Sequence, residues 1–541
     1  MPVAQMEERL TDILVIGGGL AGILSALEAE RSGLNVLMVG KIGIGRGTNS
    51  SLSNGVFTAA NSGFSGDDHL RMTFESGKGL NRPFLVRQLV EQAPDSIRDL
   101  SALGAPLVER GTAYSVLRPE GSSQLPGILL VKALTDRLAK STIQLLPGMV
   151  IFDLVVEGGE VRGGFGFLRD GRPCLVHSKA VVLGTGGGGG IYRRSDNQKR
   201  TLGDGYALAL RAGLSLFDLE FIQFFPLALA EPRLSTFYIP PPYPKGMRLF
   251  DHKGTDLLER IGLEGGLNRA VLTERDRLSI ALFEASQTGD IYCDLTAVAG
   301  EKWNEYPLNF LKKSRFPFHE RPFLIAPVVH FFMGGVETDR EGRTSLPGLF
   351  AAGEVSWGIH GANRLGGNAL TECAVFGPIA GRSAGNDARM KEDKEGESSR
   401  REALKKRWER KAKRYERKKR RTFESPREIL GRLKELAWRY GGIVRDEGSL
   451  KEGLGSLVSI EEKIDEIYPL RTGDLFRKRE LENMVLLLKA ILKGSLLRRE
   501  SRGSFFRKDF PDQDERNWKK NTCYRLEKGE LRITHLDKCE M

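Results

Sequence analysis

Cysteine is scarce in this chain: five residues, at 174, 293, 373, 523 and 539, with no C-x-x-C pair among them. So scattered a set builds no local iron–sulfur or zinc centre, and it reads as reduced thiols of a cytosolic protein with no metal of its own. Long hydrophobic runs are missing too. The longest, Pro322 to Val336, is interrupted by Pro327 and His330 and falls short of the roughly 20 residues that span a bilayer. The first ten residues, MPVAQMEERL, carry neither a basic segment nor an apolar core and do not read as an export signal. These absences point to a cytoplasmic protein.

Glycine, in contrast, is plentiful at 64 residues, with clusters at 17–22, 184–190 and 361–367. Clustering of this kind suggests backbone lying against a ligand. A chain of 541 residues implies two or three domains, and 40% apolar with 28% charged residues describes an ordinary soluble protein. The net charge of +12 is uneven, because 400–421 holds fourteen basic and three acidic residues. That run suits an anionic partner. It equally suits a solvated helix, since Leu404, Trp408, Ala412 and Tyr415 form a narrow apolar stripe at helical spacing. No nucleic-acid motif accompanies the charge.

Residues 12–16, DILVI, run into Gly17-Gly18-Gly19-Leu20-Ala21-Gly22, then a helical pattern to Glu30 and a second apolar run from Asn35 to Val39. Strand, glycine turn, helix and strand frame a G-x-G-x-x-G at 17, 19 and 22. Gly17 makes the turn, Gly19 admits a pyrophosphate, and Gly22 lets helix and strand pack closely. The second strand ends in Gly40-Lys41, where an acid for the ribose is expected. Two further strands run towards glycine or acid: 180–190, AVVLGTGGGGG, and 349–354, LFAAGE. The stretch 357–370, WGIHGANRLGGNAL, sets Arg364 among Gly361, Ala362, Gly366, Gly367 and Ala369. Arginine's planar fork grips carboxylates and small residues admit a flat ligand, so the pair suits a planar cofactor held against a small acid.

This stretch closely resembles a signature of the flavoprotein subunits of fumarate reductase, succinate dehydrogenase and L-aspartate oxidase. The resemblance extends over nearly the whole chain. Residues 180–190 resemble the family's A-T-G-G segment, and 202–205 its T-G-D-G. It implies an α/β fold: a discontinuous, Rossmann-like FAD-binding domain (1–225 and 336–390), an inserted α+β capping domain (226–335), a C-terminal helical domain (391–500) and a tail with a hairpin (501–541). FAD is the implied cofactor. The implied cofactor-binding positions are Gly17, Gly19, Gly22, Lys41, Thr48, Asn49, Ser50, Gly55, Thr185, Gly186, Asp204, Glu354, Arg364, Asn368 and Leu370. The segment 45–55 lacks the histidine that tethers flavin in many relatives, and the first histidine is His69, so the FAD is expected to be non-covalent.

Hydride transfer between flavin N5 and an unsaturated or saturated carboxylic acid is the implied activity, with electrons exchanged with a separate iron–sulfur subunit. Such partners would also explain an attachment at the inner face of a membrane. Arg364 and His330, the latter in an H-x-x-M-G-G match, take the place of the substrate clamp, and Arg275, in an R-D-x-x-S match, that of the proton donor. Bland readings stand beside these: His330 as a core histidine, Arg275 in a surface ion-pair helix. Three departures point to a changed substrate. The family's relay glutamate has no counterpart near 237–246, leaving Glu231, Asp251 or Glu274 as substitutes, and two expected histidines are Phe225 and Phe505. The alternatives are therefore an L-aspartate oxidase-like enzyme, one acting on a larger enoate, or an FAD subunit that transfers electrons without turnover.

Overall fold

The computed structural model describes residues 5–262, 266–314, 316–391, 397–415, 424–467 and 472–536. At its centre is a five-stranded parallel sheet in the order Leu349–Ala351, Ala180–Leu183, Ile13–Ile16, Val36–Gly40, Gln144–Pro147. The three strands that the sequence marks with glycine or acid are thus neighbours, paired in register Ile16↔Leu183↔Ala351. Their carboxyl ends form one edge, the place where open parallel sheets bind ligands. The strand Ile13–Ile16 is buried along its length, as a strand covered on both faces must be.

Helix Leu20–Glu30 follows the first glycine turn and packs against helix Asn368–Arg389. The contact is close because Gly377 and Gly381 face it: a Cβ at Gly381 would lie 2.2 Å from the Ser25 carbonyl oxygen. Ser25 closes the contact by donating to the Gly377 carbonyl at 2.8 Å.

The chain between Leu183 and Leu349 contributes a second sheet, antiparallel, in the order Ile222–Leu229, Phe323–Phe332, Ile291–Asp294, Arg248–Asp251. The apolar run 322–336 is its longest strand, Phe323–Phe332. A terminal hairpin, Asn521–Glu527 and Glu530–Leu536, turns at Lys528 and Gly529, both at positive φ. The hairpin falls within the expected tail, and its strands extend a third sheet through Leu216–Phe217.

Helices Pro426–Tyr440, Glu447–Glu466 and Thr472–Leu497 pack together, the first two opened by capping boxes at Ser425 and Asp446. Helix Glu397–Tyr415 does not join them. Its Leu404, Trp408 and Ala412 lie on a mixed sheet that contains Glu160–Phe167, and Trp408 stacks on Phe165 at 4.8 Å. Lys406, Arg407 and Arg410 are exposed, so the charge occupies a solvated face. The rest of that run, 416–421, lies outside the described residues, as does Cys539. No helix among the described residues is long and apolar enough to cross a membrane.

A buried ionic lattice ties the hairpin to the second sheet. Arg498 donates to Glu220 at 2.9 Å and to Glu500 at 2.8 Å, while Arg502 donates to Glu500 at 2.8 Å. Tyr524 and Thr522 donate to Glu220, and Asn521 and Trp357 to Asp218. Burial, with the like charge of Glu220, pushes Asp218 up to about 7.

Candidate functional site

One cavity of about 1200 Å³ opens at the carboxyl edge of the parallel sheet and runs to the antiparallel sheet. It gathers fifteen of the seventeen residues singled out from sequence, leaving out Gly22 and Asn368. Gly22 acts behind the turn, where a Cβ would lie 2.1 Å from the Gly17 carbonyl oxygen. The Asn368 side chain is turned to the core instead. Its Oδ1 meets His69 Nε2 at 2.8 Å and its amide donates to Thr73 at 3.0 Å.

The glycine clusters divide by what they face. A Cβ at Gly366 would meet nothing within 4 Å, and one at Gly19 only Ser50 Oγ at 3.4 Å. Those positions leave room for a ligand. Gly361 and Gly367 do not: added Cβ atoms would lie 2.4 Å from the Gly77 carbonyl oxygen and 2.3 Å from Thr58 Oγ1. In 187–190 likewise, every added Cβ would strike protein atoms. Clustered glycine therefore reflects close chain packing at most of these positions and ligand space at a few. Thr185 Oγ1 is buried without a partner and lines the cavity, as an atom awaiting a ligand hydrogen bond would.

Two carboxylates stand at the sheet edge. Glu354 accepts from the backbone N–H groups of Gly187 and Phe332, each at 3.1 Å, and burial pushes it up to about 7 despite them. Asp204 is engaged on both oxygens, by Lys41 at 2.6 Å and Asn483 at 2.7 Å. Burial raises its pKa, but the Lys41 charge and these hydrogen bonds hold it below the ordinary value. Lys41 also pairs with Glu480 at 2.9 Å. The lysine that follows the second strand therefore orders Asp204 instead of standing free.

At the other end lie the three residues assigned to chemistry. Arg364, 4% exposed, donates to Gln223 Oε1 at 2.7 Å and to the Leu365 carbonyl at 3.0 Å, and its guanidinium lies 4.7 Å from the Phe331 ring centroid. Arg275 begins helix Arg275–Ser286 and donates to the Arg364 carbonyl at 2.9 Å. The Nε of each is buried without a partner, and among the described residues neither forms a carboxylate salt bridge. Burial, then the like charge of Arg275, brings Arg364 down to about 9. His330 is held through Nδ1 by Asp196 Oδ2 at 2.7 Å. It is not a core histidine, and Arg275 is not in a surface ion-pair row.

Several neighbours escaped the sequence reading. Gln223 Nε2 donates to Asn363 Oδ1 at 2.6 Å, and Asn363 Nδ2 donates to Asp276 Oδ2, so a chain of side chains joins Arg364 to the residue after Arg275. Asn363 and Asp276 each adjoin an arginine already singled out; Asp196 and Gln223 carried no such signal. Of the substitutes for the relay glutamate, Glu231 accepts from Leu324 N–H and Asp251 caps its own turn, and neither reaches the cavity. Glu274 does, paired with Arg277 at 3.0 Å. Phe225 lines the cavity. Phe505 does not: it is buried behind the site, against Phe221 and 4.9 Å from the Arg445 guanidinium.

The family model of the FAD binding domain matches residues 12–370, and that of the fumarate reductase flavoprotein C-term matches 431–539. The chain is 32% identical to one subunit of the fumarate reductase (CoM/CoB) of Methanothermobacter marburgensis, over 94% of this chain and 96% of the relative. It is 28% identical to an L-aspartate oxidase of Synechocystis, with 94% and 96% covered. Among solved structures, Mycobacterium smegmatis Sdh1 in complex with UQ1 superposes with a TM-score of 0.82 at 26% identity, covering 98% of this chain and 94% of that one.

Proposed function

The chain belongs to the fumarate reductase flavoprotein family of FAD-dependent oxidoreductases, and on that premise we propose that its cavity interconverts an α,β-unsaturated carboxylic acid and the saturated acid. The observation that carries this reading is the pair of guanidinium groups, Arg364 and Arg275, that meet at one cavity with buried N–H donors unmatched by any carboxylate. A buried cation without a counter-ion is costly, and a substrate carboxylate removes that cost.

Thr185, Gly19, Gly186 and Gly366 leave the hydrogen-bonding atom and the space that FAD needs, and Glu354 would accept from its hydroxyl groups. When bound, FAD supplies two-electron oxidation and reduction. His330 is the only histidine at the cavity among the described residues, and it stands among rings at the substrate end, which supports a non-covalent cofactor.

Arg364 binds the carboxylate and is kept in place by Gln223. His330 is oriented by Asp196, which accepts from Nδ1–H, and in its imidazolium form presents Nε2–H to the substrate, where it stabilises negative charge as it develops. Arg275 holds the proton destined for the substrate carbon. An arginine serves as an acid only if its proton is restored at once, because its pKa stays above about 12 in ordinary surroundings. Burial lowers that of Arg275, and Asp276, raised by burial, is the neighbouring acid from which the proton is restored. Relatives of this chain bear the names of fumarate reductase subunits, which supports a separate electron-carrying partner, an iron–sulfur protein.

The test is anaerobic: FAD on the purified protein is reduced, excess reductant is removed, and unsaturated acids are added. Return of the oxidised spectrum with at least one acid, lost in Arg275→Gln, supports the reading. A flavin that no unsaturated acid reoxidises overturns it.

A further inference from the structure

Beside His330 the cavity wall is largely apolar. Phe225 lines the cavity, and its ring meets that of Tyr238 edge-on at 4.9 Å; the two lie 5.6 and 5.2 Å from the imidazole of His330. Pro240, Pro241 and Val271 continue this wall. Prolines lack an N–H, and phenylalanine and valine side chains have no donor at all. A buried carboxylate left without donors costs several kcal/mol. A diacid held at one end by Arg364 and Arg275 would find only His330 Nε2 and the Tyr238 hydroxyl for the other, set among apolar side chains. An apolar ring at that end would lie against the side chains of Phe225 and Tyr238.

Resting on the reading above, we propose that the substrate is a monocarboxylic enoate whose β-carbon bears an aryl-sized apolar group. Its carboxylate is held by Arg364 and Arg275, and its apolar body by Phe225 and Tyr238. In the reducing direction the C=C π bond is lost and two C–H bonds form. The electron pair and one hydrogen come from reduced FAD, which is oxidised; the second hydrogen arrives as a proton from Arg275.

The experiment compares cinnamate with fumarate on the FAD-loaded protein, by reoxidation of the reduced flavin and by perturbation of the oxidised flavin spectrum on binding. Cinnamate is expected to react at least about tenfold faster and to bind at least about tenfold tighter, the discrimination open to an apolar wall that offers a second carboxylate few partners. In Phe225→His the ratio should shift towards fumarate, and in Phe225→Leu cinnamate should weaken without any gain for fumarate. Fumarate reacting or binding as well as cinnamate overturns the proposal and leaves the general reading standing. Binding of cinnamate alone, without reoxidation by any acid, supports the pocket and counts against the reaction. Binding of neither overturns the proposal.

Discussion

Arg498 and Arg364 are both buried arginines, and the company they keep is opposite. Arg498 lies in the lattice at the hairpin, bonded to Glu220, Glu500, Thr522 and two backbone carbonyls. Arg364, at the cavity, has one glutamine, one carbonyl and the face of Phe331, and the strongest charge acting on it is that of a second arginine. The same side chain thus serves as a closed structural joint in one place and an open valence in the other. Burial alone does not mark a functional arginine; burial with donors left over does.

The sharpest way to break this comparison is to remove the joint. Arg498→Met leaves Glu220 buried without its cation and Glu500 with Arg502 alone, and we expect a loss of about 3–5 kcal/mol in denaturant unfolding. Activity per folded molecule should hold. Arg364→Gln should do the reverse, lowering turnover by about 10²–10³-fold while the protein without substrate melts no lower than the parent. A clear loss of stability there would erase the distinction. Asp276→Asn keeps an oxygen for Asn363 but removes the acid, so kcat should fall by on the order of 10² with KM little changed, a ratio read from steady-state kinetics.

The smallest effect concerns pH. Glu354 is raised from 4.5 to about 7, so its neutral form is favoured in the fold. Its contribution to stability is full below about 4.5 and is lost as pH rises through about 7. Asp218 acts in the same direction and window. Glu354→Gln should therefore reduce, without abolishing, the fall in apoprotein melting temperature between those values. An unchanged slope would assign the whole effect elsewhere.

How far the sequence foretold this depends on the range of the interaction. The three strand ends at Ile16, Leu183 and Ala351 were legible because each is an apolar run stopped by glycine, and a parallel sheet brings such ends together. Arg364 was legible because small residues surround it. The chain from Arg364 through Gln223 and Asn363 to Asp276 was not, because it crosses 141 residues between strand and loop and no local pattern encodes such a pairing. Tertiary packing decided two more cases. Helix Glu397–Tyr415 chose a sheet over its helical neighbours because Trp408 found Phe165, and Asn368 was drawn inward by His69 and Thr73.

The central sheet has a consequence for how the chain is made. Its edge at the cavity unites residues 13–16, 180–183 and 349–351, and the helix that backs them begins at Asn368. A nascent chain leaving the ribosome at about 5–20 residues per second exposes the first glycine turn tens of seconds before the last strand emerges. Once made, the strand Ala180–Leu183 has no partner on one side until Leu349–Ala351 emerges, and the whole inserted sheet must collapse on its own before the edge can be completed. Cofactor capture is thereby deferred to the late stage of synthesis, and a chain truncated before residue 349 would leave the ribosome with a phosphate turn and no site around it.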